Sequence, residues 1–510
     1  MTAALLSSAT VAVIGSGAMG AGIAQIAAAA GHVVKLFDAR PEAAAKAIAD
    51  IRKTYSRLTE KGKMQAHEAE LAGARLYPVS TIEDLAGAAL AVEAITESLE
   101  AKRGLFAALE EIVGPQCILA TNTSSISITA IGAGLARPQR LVGMHFFNPV
   151  PLMALVEVIS GLATERQYAE TVYATAQAWG KNPVNATSSP GFIVNRVARP
   201  YYAEALRVAQ EQGAAPATLD AIMREAGGFR MGPFELMDLI GHDVNFAVTS
   251  SVFAAYFNDP RFTPSVMQQE LVNAGFLGRK SGRGFYHYGS DAAPPEAVNE
   301  PARPAPAEIA LRGAHSMLEA IAGRAAIAGI KLMRKPDSCN GAACIEIGGA
   351  RVFLTDGRTA TRRAAEAEYR DIVLVDLARD FSSAQRVALA RAAQCSDAAY
   401  EAAVALFQAA GYMVSPLADV PGMIVMRTVA MLANEVADAV NQGVCSVEAV
   451  DIAMEKGVNY PRGALRWADA IGIPVLGQVL HNLADTYGED RFRISPLIQR
   501  KVAARGVFHA

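Results

Sequence analysis

The sequence predicts an α/β chain in two unequal copies. A parallel-sheet domain and an all-α domain come first, then a degenerate α/β segment and a second all-α domain. Three observations carry this reading. Apolar β-branched runs alternate with helical stretches through the first third of the 510 residues. Long helical patterns take over from Pro190. A block from the middle of the chain then recurs without gaps near its end.

The elements follow in order. TVAVIG (10–15) reads as a strand, followed by a glycine turn and a small-residue helix to Ala30. VVKLFD (33–38) is a second strand, and residues 41–75, rich in Ala, Lys and Glu, read as helical. LAVEAI (90–95), CILATN (117–122), RLVGMHF (140–146) and ALVEVIS (154–160) are further strands. Strands separated by helices imply a largely parallel sheet covered on both faces. FIVNRVARPYYAEALRVAQEQG and LDAIMREAG are helical, and GRKSGRGFYHY (278–288) is loop-rich. Pro294, Pro295, Pro301, Pro304 and Pro306 then punctuate what reads as a semi-rigid spacer. Beyond it, IVLVD (372–376) is a buried strand in a mixed segment that has no glycine-rich phosphate loop. The expected domains are 1–189, 190–290, a linker at 291–310, 311–415 and 416–510.

The repeat pairs PGFIVNR at 190–196 with PGMIVMR at 421–427. The same register pairs Gly180 with Gly411, Glu204 with Glu435, Asp220 with Asp451, Gly232 with Gly463, Asp238 with Asp469, and Gly241 with Gly472. Apolar matches between helices are common by chance. One ungapped register through Gly, Pro and charged positions signals a duplicated helical domain.

Composition excludes several classes. Lys+Arg number 47 and Asp+Glu 50, a net charge of −3 that argues against a generic nucleic-acid or membrane-surface binder. Five cysteines without a CxxC pair argue against a disulfide framework or zinc ribbon. Cys339 and Cys344 read as buried small thiols and no metal is expected, so the chain reads as intracellular, reduced and cytoplasmic. Thr10–Val34 is apolar, but no basic residue precedes it, and Gly15, Gly17, Gly20, Gly22 and Gln25 suit neither a signal peptide nor a membrane helix. No other stretch approaches a membrane span, and no GxSxG or Walker pattern stands in suitable context.

Gly15-Ser16-Gly17-Ala18-Met19-Gly20 is a GxGxxG between a strand and a helix. Gly15 permits the tight turn, Gly17 lets a pyrophosphate approach the backbone, and Gly20 lets helix and strand pack closely. The helix N-terminus beginning at Ala18 and Met19 offers free amides to the phosphates. Asp38 ends the next strand, where a carboxylate can hold a ribose 2′-hydroxyl and repel a 2′-phosphate. This predicts a Rossmann-type domain for NAD, although Arg40 nearby leaves NADP open. A tight turn without a nucleotide is the plainer alternative.

TESLEAKRGLF (96–106), ATNTSSISIT (120–129), GMHFFNPVPLMALVEVI (143–159), PGFIVNR, MGPFELMDLIG (231–241) and GRKSGRGFY (278–286) occur in that order. The set resembles the L-3-hydroxyacyl-CoA dehydrogenases over residues 8–288. The two-copy layout looks like the long bacterial form associated with phenylacetate degradation, which implies 3-hydroxyadipyl-CoA as substrate. Alcohol oxidation needs a base for the hydroxyl proton. His145 suits that role, with Glu157 in the following strand to hold its other nitrogen. Taken alone, His145 is equally a core histidine and Glu157 an edge-strand residue. The resemblance implies this dyad, with Ser124 and Asn195 orienting the substrate, where plainer readings are a turn residue and a helix cap. It further implies Glu97, Lys102, Asn148 and Lys280 as cofactor contacts. Ser56, Lys63, Lys102 and Ser124 are implied around the CoA substrate. Lys61-Gly62-Lys63 reads otherwise as a solvated face.

Two other functions share parts of this pattern. A different β-hydroxyacid dehydrogenase would usually carry a catalytic lysine where this chain has HFFNP. A non-enzymatic NAD-binding protein would be free to lose the Ser124, His145, Glu157 and Asn195 set. No motif locates the acyl pocket. The second copy has Met426 at the place of Asn195, and Arg462-Gly463-Ala464 for Met231-Gly232-Pro233. It is expected to bind no NAD and to pack on the first helical domain as an internal pseudo-dimer, with a homo-oligomer left open.

Overall fold

The structure, a computed structural model, describes residues 3–289, 292–293, 296–339 and 341–509. Pro294 and Pro295 of the expected linker lie outside these residues. The chain divides into two compact units, Met1–Arg196 with Ala439–Asn459, and Val197–Asp438 with Tyr460–Ala510.

The first unit holds eight strands: β1 (Thr10–Ile14), β2 (Val33–Phe37), β3 (Leu76–Val79), β4 (Leu90–Glu93), β5 (Ile118–Thr121), β6 (Leu141–Phe146), β7 (Leu155–Ser160) and β8 (Asn182–Thr187). Their order is β3-β2-β1-β4-β5-β6-β7-β8. Neighbours run parallel except β6 and β7. β4, β5 and β6 are buried at every position, which is why they read as unbroken apolar runs. The short link from β6 to β7 forces an antiparallel pair, and that pairing sets His145 directly opposite Glu157. The stretch 41–75 is two helices, Ala43–Glu60 and Ala66–Ala74, broken at the Lys61-Gly62-Lys63 turn where Gly62 has φ +66°.

One helix of this unit comes from the second copy. Val447–Gly457 lies against β7 and β8. Thr187 N donates to Val444 O at 2.9 Å. Gly457 approaches so closely that a Cβ there would collide with the Leu155 side chain on β7.

The second unit holds β9 (Glu308–Arg312), β10 (Lys331–Lys335), β11 (Cys344–Ile347), β12 (Ala350–Leu354), β13 (Ile372–Val375), β14 (Arg386–Arg391) and β15 (Met413–Pro416). The order β10-β9-β11-β12-β13-β14-β15 repeats that of the first sheet without a counterpart of β3. β11 runs antiparallel to both neighbours, because Gly348 and Gly349, both at positive φ, turn it straight into β12 where the first sheet has a crossover helix. The pairs Leu155↔Asn182 and Arg386↔Met413 stand in the repeat register, so the duplication reaches back into the sheets. Asp376 N donates to Ala388 O, and Ala388 is the repeat mate of Glu157. Asp376 therefore occupies the place that His145 has in the first sheet. It accepts from Ile424, Val425 and Met426 N at 2.8–3.0 Å, and burial pushes its pKa up to about 6.

Helices of both copies pack within this unit. Arg427 donates to Glu204 at 2.7 Å, both wholly buried, and Arg491 also pairs with Glu204. Arg261 pairs with Asp438 at 2.8 Å. The rings of Tyr201 and Tyr460, and of Phe229 and Trp467, meet across the two copies. The helix Pro216–Glu225 packs on β14, with Glu225 bonded to Arg386 at 3.0 Å. This is the repeat mate of Val447–Gly457, so each copy lends the same helix to the other copy's sheet.

Two expectations need correction. Cys339 and Cys344 form a disulfide: the bridge between Cys339 and Ala342 folds the chain back and brings their Cα atoms to 6.3 Å. The linker expected at 291–310 ends earlier, since β9 begins at Glu308, and its described part is held in place, with Glu300 N on Val414 O and Arg303 N on Gln408 Oε1. Proline keeps that segment extended, and its remaining amides find partners. Among the described residues no helix is long and apolar enough to cross a membrane.

Candidate active site

The first unit builds a nucleotide cradle at the end of β1. Gly15 has φ +100°, and a Cβ there would overlap the Ala94 carbonyl. A Cβ on Gly20 would overlap the Gly15 carbonyl, whereas Gly17 faces open space. Gly17 caps the helix Ala18–Ala29 without any side chain, so the amides starting at Ala18 and Met19 remain for a ligand. Asp38 Oδ2 accepts from Ser16 N at 2.8 Å and Ser16 Oγ at 2.6 Å, which ties the second strand to the loop. Arg40 turns onto Asp38 at 3.0 Å and, with Ser16, holds its carboxyl well below the usual range. These residues fit NAD: open space at Gly17 beside bare helix amides, and a carboxylate held in place just beyond β2.

The next strand end carries a polar network. Ser98 caps the helix Leu99–Ile112, which turns buried Lys102 back onto Glu93 at 2.6 Å and Glu97 at 3.3 Å. Glu97 Oε1 accepts from Thr123 Oγ1, Ser124 N and Ser125 N at 2.7–3.2 Å and from Ser124 Oγ at 3.3 Å. Burial raises the Glu97 pKa, but these bonds and the Lys102 charge outweigh it and hold it low. Asn195 Nδ2 reaches Ser124 O at 3.3 Å. Beside this, His145 Nδ1 lies 2.6 Å from Glu157 Oε2, with both residues buried. The other oxygen of Glu157 accepts from Ile193 and Val194 N, at 3.1 and 2.9 Å. A carboxylate held by three donors fixes the tautomer: Nδ1 carries the proton and Nε2 is left as the acceptor.

The comparisons bear on this site as a whole. The family described as "3-hydroxyacyl-CoA dehydrogenase, NAD binding domain" matches residues 10–189, and its C-terminal domain matches 191–288 and again 422–507. A "3-hydroxybutyryl-CoA dehydrogenase reduced Rossmann-fold domain" matches 352–421. The chain is 45% identical to a 3-hydroxyadipyl-CoA dehydrogenase of Escherichia coli, over 96% of this chain and 97% of that one. The chain belongs to the 3-hydroxyacyl-CoA dehydrogenase family. A solved 3-hydroxybutyryl-CoA dehydrogenase from Escherichia coli K12 matches with a TM-score of 0.89 and 43% identity, over 98% and 99% of the two chains. A 3-hydroxybutyryl-CoA dehydrogenase of Clostridioides difficile is 41% identical, over 54% of this chain and 98% of its own length.

Seen as a 3-hydroxyacyl-CoA dehydrogenase, the chain places the remaining expected residues as follows. Asn148 is exposed in the loop directly after β6. Ser56 is exposed on the wall of a cavity of about 580 Å³ between Ala43–Glu60 and Ala66–Ala74, and Lys63 lies in the turn that joins those helices. Lys280 belongs to the second unit, where it bonds Asp243 at 2.5 Å. Lys102 is 1% exposed, so it acts within the network and offers no free charge to a ligand. Sequence reasoning missed Glu93, although its position at the end of a strand four residues before Glu97 was a usable signal. It also missed Asn122, whose Oδ1 accepts from Phe146 N at 2.9 Å and pins the strand end beside His145.

Proposed function

We propose that the protein oxidises the 3-hydroxyl of an (S)-3-hydroxyacyl-CoA to the 3-oxo thioester with NAD, its substrate being 3-hydroxyadipyl-CoA or 3-hydroxybutyryl-CoA. The observation that carries the reading is the His145–Glu157 contact at 2.6 Å on adjacent strands of a nucleotide-binding sheet. NAD, when bound, supplies the acceptor for the C3 hydride. His145 Nε2 takes the hydroxyl proton, and Glu157 stabilises the imidazolium that results. Ser124 and Asn195 orient the substrate oxygen and thioester, and the Glu97 bonds to the 123–125 turn hold Ser124 in position. Gly15, Gly17 and Gly20 with Asp38 hold the dinucleotide.

The internal pairing of helical copies supports a chain whose second copy stands in for a partner subunit. A cytoplasmic location, where NAD and acyl-CoA meet, is part of the same proposal. The test is NADH absorbance with each thioester. We expect turnover with at least one, and no NADH from either would refute the reading.

A further inference from the structure

Arg199, in the second unit, is 6% exposed, yet among the described residues no carboxylate pairs with it. Its Nη1 donates to Thr249 Oγ1 at 3.1 Å, its guanidinium carbon lies 5.0 Å from the Tyr202 ring centre, and its Nε has no partner. The other buried arginines of this unit behave differently: Arg261, Arg363, Arg386, Arg427 and Arg491 each meet a Glu or Asp. A buried guanidinium without an acid is costly, and burial pushes the pKa of Arg199 below the ordinary arginine value.

The surroundings of Arg199 supply donors and no acid. With Thr249, Ser265 and Gln268 it lines a cavity of about 230 Å³ that has no Asp or Glu on its wall. Ser265 Oγ is a second buried polar atom without a partner. Ser265 also precedes the helix Val266–Asn273, which has no side-chain cap and no acidic residue in its first turn. The amides of that turn, at the positive end of the helix dipole, therefore remain for an acceptor. Arg207 reaches the same wall but is spent on Glu489 at 3.2 Å, and Gln268 Nε2 is spent on Asn245 Oδ1 at 3.1 Å. The rest of the wall is largely apolar, with Ala203, Leu206, Pro264 and Val266. A bare inorganic anion would leave these side chains uncovered, whereas a short alkyl chain would cover them.

We propose that this cavity binds a short-chain aliphatic carboxylate, its oxygens on Arg199 and Ser265 and its chain against Leu206 and Pro264. With Nη1 held by Thr249, Nε and Nη2 form the fork that takes both carboxylate oxygens. Every residue of the site lies between 199 and 268, within one unit.

The test is a titration of the full chain with sodium butyrate, followed by saturation-transfer NMR on the ligand, with sodium phosphate and n-butanol as competitors at constant ionic strength. We expect saturable butyrate binding that Arg199→Met weakens about tenfold or more and Arg199→Lys weakens less. Absence of saturable butyrate binding by the unsubstituted protein, which needs no variant to fold, would overturn the proposal. So would unchanged butyrate affinity in folded Arg199→Met. Displacement of butyrate by equimolar phosphate would make this a site for inorganic anions, and displacement by equimolar butanol would make it merely apolar; either result refutes a carboxylate site.

Discussion

Glu157 does two jobs with its two oxygens. One holds the imidazole of His145, and the other receives the amides of Ile193 and Val194. Glu157→Gln keeps the shape but removes the negative charge that would, in the proposed reaction, stabilise the imidazolium, so kcat should fall by about 10²–10⁴ with little change in KM. Steady-state kinetics on the folded variant decides this, and an unchanged kcat would place the base elsewhere. Asp38 is similarly double: it is the proposed ribose ligand and also holds Ser16 in the glycine loop. NAD should be preferred to NADP by kcat/KM, and Asp38→Ala should lower NAD affinity as well as narrow that preference. A protein that prefers NADP would contradict it. His145 and Glu157 were legible because each sits in a strong strand pattern within a specific motif. The contacts of Glu97 with Thr123 and Ser125 were not, because two strand ends meet through space there and no spacing records it.

At the level of elements, strands buried on both faces announced themselves, as in β1 and β4 to β7. Edge strands did not: β3 is LYPV and β8 is NPVNAT, mixtures of polar residues and proline without a core-facing run. Most of the second sheet was equally silent, since β10 is KLMRK and the glycine loop is gone. The exchange of Pro216–Glu225 and Val447–Gly457 between copies could not be read at all, because a repeat register says which residues correspond, not which surfaces they meet. That exchange makes a prediction. Gly457→Val would push into Leu155 on the strand that carries Glu157, so it should lower the melting temperature and cut kcat although it alters the copy without a GxGxxG. Normal kcat and melting temperature would show that β7 does not depend on this helix.

Asp376 gives a test by pH. Its folded pKa lies above the ordinary Asp value, so its contribution to stability is full below about 4 and is lost as pH rises through about 6. The loss is about 3 kcal/mol at most. Asp376→Asn cannot titrate, so its stability relative to the unsubstituted protein should rise between pH 4 and 7 in urea unfolding. A pH-independent difference would mean that the amides of Ile424 to Met426 keep Asp376 ionised throughout.

For the whole molecule, the buried pair of Arg427 and Glu204 joins the two helical copies within the second unit. Arg427→Ala leaves Glu204 buried with less compensation and should destabilise the chain by about 3–5 kcal/mol in denaturant unfolding. In the proposed function the first copy performs the chemistry and the second serves as scaffold. His145 and Asp376 occupy matching places in the two sheets, so one paired measurement tests this most directly: NADH formation from 3-hydroxyadipyl-CoA or 3-hydroxybutyryl-CoA by His145→Gln and by Asp376→Asn. The account predicts that kcat falls by about a thousandfold in the first and stays near its original value in folded Asp376→Asn. Comparable losses in both variants, or near-full turnover by His145→Gln, would contradict it.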